Sequence, residues 1–393
     1  MERTKQQGLN ALVEKRIQAR LASGLTNAKT AVSRLMEEGK IARDFIFEVG
    51  TEKKGIKTNI IFKPDPGYGV GSTFMLPEKE AKTGKKIIVP RDYQINMHAV
   101  RQVAAKLNIP STYITSLLMG EEWQQTLAYK ILNTHNGWTD RNNVLVRAVG
   151  KEVRGFLSDQ YRRLDSELIF NAHVEALIEC GGQLSDGYMD DTRVMLESFH
   201  PKPIEVVTEL NGIILLAFGT RIATSDYGDG ALELRSFILQ GVCLNGMVRE
   251  SVLRAVHLGA KLSNIQGLSD ETYLSDSKTT ALAIRDLTKN LYSSDAIKEH
   301  KLEIKAAAGV PVGDPVMFLR NLHYTGKLLI GESNKIGEMM MRNDPKMGLQ
   351  GESTLWKLSQ GITAYANEED VTPRRRMELA EVAGDLLNKI KSN

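Results

Sequence analysis

The chain has only two cysteines in 393 residues, Cys180 and Cys243, and neither sits in a CxxC or Cys/His cluster. That excludes a fold stapled by disulfides and a cysteine-built metal centre, and both thiols read as small buried hydrophobes. Long apolar runs are missing too: residues 213–218, the most apolar stretch, have strand length, far short of the ~18 residues a membrane span needs. The N-terminus is polar and lacks the apolar core of a secretory signal. The expectation is a cytoplasmic protein, in the cytoplasm of a host cell if it is phage-encoded, with no membrane partner.

Catalytic signatures are equally scarce. There is no GxxxxGK[ST] to cradle phosphates, no GxGxxG after a strand and no GxSxG. The seven histidines never fall at HxxxH or HExxH spacing. Asp190, Asp191, Asp226 and Asp229 supply carboxylates, and Asp226 with Asp229 is the one pairing that invites a divalent ion, but paired acids in a turn are usually solvated. No catalytic residue, metal ligand or cofactor can therefore be named, and an enzyme is the less favoured class.

What is present is an uneven charge distribution. Residues 1–107 carry 20 Lys/Arg against 11 Asp/Glu, whereas residues 164–234 carry three against thirteen. Such segregation can draw a polyanion to one face while the remainder stays solvated.

Hydrophobic periodicity predicts an α+β protein with a central antiparallel β-meander flanked by helices, and with helical N- and C-terminal regions. Residues 8–43 read as a helix with an apolar stripe at Leu9, Leu12, Val13, Ile17 and Leu21, interrupted at Gly24 and Gly39. A strand is expected over 56–62, and another over 87–89 ending at Pro90, with a charged connection between them. Helices follow over 94–107 and from Ser111 as N-cap. Helix, turn and helix across 100–118 has the order of a DNA-reading motif, but its second helix offers no basic side chain to a groove. Strands at 144–149 and 153–157 flank Gly150-Lys151 as a tight hairpin, and a helix over 166–180 stops at Gly181-Gly182. Three strands at 192–199, 212–225 and 231–242 form the meander, and a helix is expected over 246–256. Helices close the chain over 269–308, 355–365 and 374–391. The expected units are a basic helical arm (1–50), a small α/β subdomain (51–130), the central core (131–265) and a mainly helical C-terminal region (266–393).

One constellation points to binding. Trp138 and Arg141 precede the hairpin that carries Arg147, Lys151 and Arg154, and Tyr161, Arg162 and Arg163 follow it. Aromatic rings among six basic side chains are what single-strand binding needs, because cations neutralise phosphates while rings stack bases, at roughly 1–3 kcal/mol per base. Arg249, Arg254 and Lys261 form a second basic set on or after the helix expected at 246–256. The triplet Arg374-Arg375-Arg376 opens the last helix, where the macrodipole disfavours cations, so it suits a partner or nearby acids better than helix stability.

The segment Val153-Arg154-Gly155-Phe156-Leu157-Ser158-Asp159-Gln160-Tyr161-Arg162-Arg163-Leu164-Asp165 resembles the signature of the phage/plasmid-like protein family called domain of unknown function nine-three-two. Thr134-His135-Asn136-Gly137, residues 239–246 and residues 355–365 are similar to further stretches of it, in the same order. Cys243-Leu244-Asn245 departs from the family's usual Cys-Gln-Asn, so no polar role transfers to Leu244. The resemblance implies a phage or mobile-element setting and no reaction. The predicted helix, meander and helix is also similar, in topology alone, to single-strand annealing proteins of the Redβ and RecT kind, which assemble into rings or filaments. The leading expectation is an oligomer that binds single-stranded DNA without sequence preference and anneals it without ATP. A phage factor binding a host defence or replication protein, a virion subunit, and an enzyme whose site these motifs miss are the alternatives.

Overall fold

The computed structural model describes residues 2–48, 60–65, 70–79, 86–136, 143–158, 161, 164–241, 246–255, 270–344, 347 and 349–388. It has the α+β architecture expected, with helical N- and C-terminal regions. A 40-residue helix α1 (Glu2–Ile41) leads into a first sheet of β1 (Ala42–Glu48), β2 (Ile60–Lys63), β3 (Gly71–Lys79), β4 (Lys86–Ile95), β5 (Asn143–Val149) and β6 (Glu152–Ser158). Its strand order is β1-β5-β6-β4-β3-β2, antiparallel except where β4 meets β6. Helices α2 (Met97–Lys106), α3 (Ser111–Leu118) and α4 (Glu122–Asn136) join its halves and cover one face, burying Ile114, Leu132, Phe74 and Phe156 in a shared core.

Helix α5 (Ser166–Glu179) opens the second sheet: β7 (Gln183–Met189), β8 (Val194–Phe199), β9 (Ile204–Val207), β10 (Ile213–Thr224), β11 (Leu232–Gln240) and β12 (Gly246–Ala255). Its order is β12-β11-β10-β8-β7, with β9 paired to β10. Helices α6 (Asp270–Leu291), α7 (Ser294–Gly309), α8 (Pro315–Tyr324), α9 (Ile330–Arg342), α10 (Leu355–Ala366) and α11 (Pro373–Asn388) complete the chain. Strand β10 is apolar over Ile213–Phe218 because both of its faces are covered there. Ile214, Leu216 and Phe218 meet the C-terminal helices. Leu215 and Ala217, on the opposite face, meet Val13, Ile17 and Leu21 of α1. Every residue of α10 is buried, Lys357 and Gln360 included, so residues 355–365 of the family resemblance are core. Among the described residues no helix is long and apolar enough to cross a membrane.

Several expectations fail for tertiary reasons. Gly24 does not interrupt α1, because it sits where the helix crosses edge strand β7 and a Cβ there would overlap the Ser185 carbonyl. The first half of the helix thus packs on one face of the sheet and Ala28, Ala31 and Leu35 on the other. A glycine inside a helix costs about 1 kcal/mol, and here it permits contact that no larger residue could make. Strand β4 runs through Pro90, which lies in register with Met75, instead of ending there. Ser111 is the first helical residue of α3, after Pro110 at the cap position. Residues 246–255 form β12, paired along β11, so Arg249 and Arg254 lie on a strand and not on a helix. β1, β3, β7 and β9 were not expected either, and β3 occupies part of the stretch expected to be a charged connection. The division expected at residue 131 does not follow the sheets either, since β5 and β6 pair with β1 and β4.

Candidate functional site

The hairpin β5–β6 forms as expected, turning at Gly150 with φ +59°, but two of its three cations face inward. Arg147 donates from Nε to Asp44 Oδ1 at 2.9 Å and from Nη1 to the Asp226 carbonyl at 2.8 Å. Arg154 donates to Glu38 Oε2 and Glu152 Oε2, both at 2.7 Å, with 9% of its side chain exposed. Burial alone would lower both arginines' pKa, yet the hydrogen bonds Arg154 donates to Glu152 and Glu38, and the charges of Asp44 and Asp226 beside Arg147, raise them above the ordinary value. A guanidinium removed from water must be paired, and these two are.

Tyr161 is 9% exposed, packs with Leu145 and Leu157, and donates its hydroxyl to the Ser225 carbonyl at 2.9 Å. Burial pushes its pKa up, and the charge of Asp226 adds to the shift. Arg147, Arg154 and Tyr161 therefore cannot form a solvent-facing aromatic and basic track, which corrects the sequence expectation at these positions. Trp138, Arg141, Arg162, Arg163 and Lys261 lie outside the described residues.

Lys151 is different. It is exposed at the hairpin turn, beside the point where α1 hands over to β1: the Gly150 amide donates to the Ile41 carbonyl at 3.2 Å, and Arg43 stands in register with Ala148. Lys40, Arg43 and Lys151 are all exposed around Ile41, itself 53% exposed, and none of the three has a partner among the described residues. Lys40 and Arg43 were not singled out from sequence. The only signal for them was the net basicity of residues 1–107.

The two sheets meet at the β10–β11 turn, residues 225–230. Its shape is local: Ser225 Oγ accepts from the amides of Tyr227 and Asp229, and Gly228 has φ +78°. Its position is set from outside. Gln102 Nε2 donates to the Tyr227 carbonyl at 2.7 Å while Gln102 Oε1 accepts from the Phe156 amide at 2.7 Å, and His98 Nε2 lies 3.0 Å from the same Tyr227 carbonyl. Ser166 donates to Asp226 Oδ1 at 2.7 Å, and Thr192 and Arg374 both donate to Asp229. Asp226 and Asp229 thus serve as anchors, and no three His, Cys, Asp or Glu side chains among the described residues are placed to hold a metal ion. Acids likewise take up much of the arginine triplet: Arg374 pairs with Asp229 and Arg375 with Glu332 and Glu378, while Arg376 donates to the Ala366 carbonyl. The tail of the family-like segment, Leu164 and Asp165, borders this junction.

A cleft of about 610 Å³ opens beside the turn. Its walls are the end of α1, strands β1 and β5, the start of α5, the β7–β8 turn and the first turns of α6. Among the described residues six carboxylates (Glu38, Asp44, Asp165, Glu167, Asp190, Asp226) and two guanidinium groups, of Arg147 and Arg193, line it. Asp190 is held below the usual carboxylate range: burial works against this, but the Thr192 and Arg193 amides and the hydroxyls of Tyr188 and Thr192 all donate to it.

A second polar cluster is closed to solvent. His173, fully buried under α6, has Nδ1 3.0 Å from Thr288 Oγ1 and Nε2 3.5 Å from Thr220 Oγ1, and Thr220 continues through Ser198 to the Tyr292 hydroxyl. Burial lowers the His173 pKa to about 4, so the ring is neutral and structural. No family model, curated protein or solved structure matches this chain. The family likeness therefore rests on the quoted segments alone.

Proposed function

We propose that this chain binds single-stranded nucleic acid without sequence preference and without ATP, and that strand annealing in phage or mobile-element recombination or replication is what the binding serves. The observation that carries the reading is the corner of exposed, unpaired cations at Lys40, Arg43 and Lys151, because phosphate neutralisation needs cations that carboxylates have not already claimed. Arg147, Arg154 and Tyr161 take no part. Base stacking falls to Trp138, which lies outside the described residues.

The test is fluorescence anisotropy with a labelled oligothymidine between 50 and 200 mM salt. A triple variant, Lys40→Ala with Arg43→Ala and Lys151→Ala, should bind at least tenfold more weakly and lose roughly 2 from the slope of log affinity against log salt. Trp138→Ala should weaken single strands more than duplex. An unchanged affinity and slope in the triple variant would end this reading.

A further inference from the structure

We infer that the chain associates with copies of itself head to tail, the α8–α9 turn of one copy seating in an apolar groove between α1 and α5 of the next. The inference does not rest on the nucleic-acid reading. Three large apolar side chains stand in solvent at that turn: Tyr324 is 76% exposed, Leu329 64% and Ile330 53%. Their backbone is nevertheless tightly held. Leu328 is buried in the C-terminal core, Gly326 takes φ +73°, and His323 Nδ1 lies 3.0 Å from the Leu328 carbonyl. Arg375 donates to the Lys327 carbonyl at 3.0 Å and to Glu332, which in turn accepts from the Leu329 amide at 2.7 Å. An apolar display fixed in advance has little conformational freedom to lose on binding, and Arg375 of the basic triplet gains a role in shaping it.

The groove has a volume of about 450 Å³ and no charged group in its lining. Leu21, Ala22 and Leu25 of α1 line one side and Val174, Leu177 and Ile178 of α5 the other, and the start of β7 completes it. Ile178 is 68% exposed at the rim, so apolar surface there meets water until a docked segment covers it. Charge matches the two surfaces. Arg320 precedes Tyr324 by four residues on α8, and Glu175 precedes Ile178 by three on α5, so each charge shares a face with its apolar neighbour. Both are exposed, and neither has a partner among the described residues. Glu179, also beside Ile178, is paired with Lys289, and Glu14, Lys15 and Lys29 of α1 fall at the ends of the groove. Because turn and groove are different surfaces, the contact between copies is heterologous, building a ring or an open filament and not a two-fold dimer.

Light scattering of the full chain after size exclusion, at up to about 0.1 mM and without nucleic acid, tests this. Species larger than the monomer are expected, growing with concentration. Leu329→Asp supplies a better N-cap for α9, and Ile178→Lys places a cation in the last turn of α5, so both variants should fold as the wild type does. Each alone should weaken association at least about tenfold. An equimolar mixture of the two should form dimers and nothing larger, because only one intact turn and one intact groove remain to meet. Lys151→Ala should associate as the wild type does, which separates this contact from the nucleic-acid corner. A monomeric wild type at that concentration, wild-type association by either folded variant, or a mixture that stays monomeric would overturn the inference.

Discussion

The β5–β6 hairpin carries cations of two kinds within eight residues, and the contrast between them shows what a basic residue is worth. Arg154, buried, and Arg147, mostly so, lie in the strands and are committed to carboxylates; Lys151, at the turn, is exposed and has no partner among the described residues. The inner pair holds the first sheet to α1 and to the β10–β11 turn, whereas the tip is free to meet something else. Charge alone does not distinguish them. Burial does.

The sharpest way to break the comparison is Arg154→Met. It leaves Glu152 without its cation and Glu38 with Arg34 alone, so chemical denaturation should show a loss of about 3 kcal/mol. If the variant were as stable as wild type, the inner arginines would not be structural. The buried polar cluster of the second sheet extends the test through pH. His173 is depressed to about 4 in the fold against 6.5 for the free side chain, so below pH 6.5 the unfolded chain takes up the proton more readily. Its contribution is fully present above pH 6.5 and is lost as pH falls toward 4, amounting to about 2 kcal/mol by pH 5. Urea melts of wild type and His173→Gln at pH 7.5 and 5.0 should show the extra slope in the wild type alone.

A smaller effect is expected at Tyr161→Phe, which removes the donor to the Ser225 carbonyl and should cost about 1–2 kcal/mol. Lys151→Ala should do least to the fold, within about 0.5 kcal/mol in the same melts. It should nevertheless lower oligonucleotide affinity several-fold and flatten its salt dependence, the reverse of the pattern expected inside the hairpin. A stability loss at Lys151 as large as that at Arg154 would erase the distinction.

Much of the fold was legible where the signal is local. The β5–β6 hairpin, helix α5 with its Gly181 stop, and the β10–β11 turn all follow from residues close together in sequence. β12 was not legible. Residues 247–255 contain no breaker against a helix, and only pairing along β11 makes them a strand. Gly24 was misread for a related reason: a glycine in a helical pattern signals a break unless something passes close by, and β7 does. The site was legible only in part. Lys151 stood among the candidates, but Lys40 and Arg43 lie more than a hundred residues earlier and reach it through β1–β5 pairing.

The sequence by itself determined the periodic elements, the tight turns, the lack of motor and metal motifs, and the segregation of basic from acidic stretches, because each of these is written in neighbouring residues. Tertiary structure alone decided which cations are free. The partners of Arg154 and Arg147 that settle the matter, Glu38 and Asp44, are 116 and 103 residues distant. A charge acquires or loses its availability from what the folded chain brings within 3 Å of it and from how much water remains there.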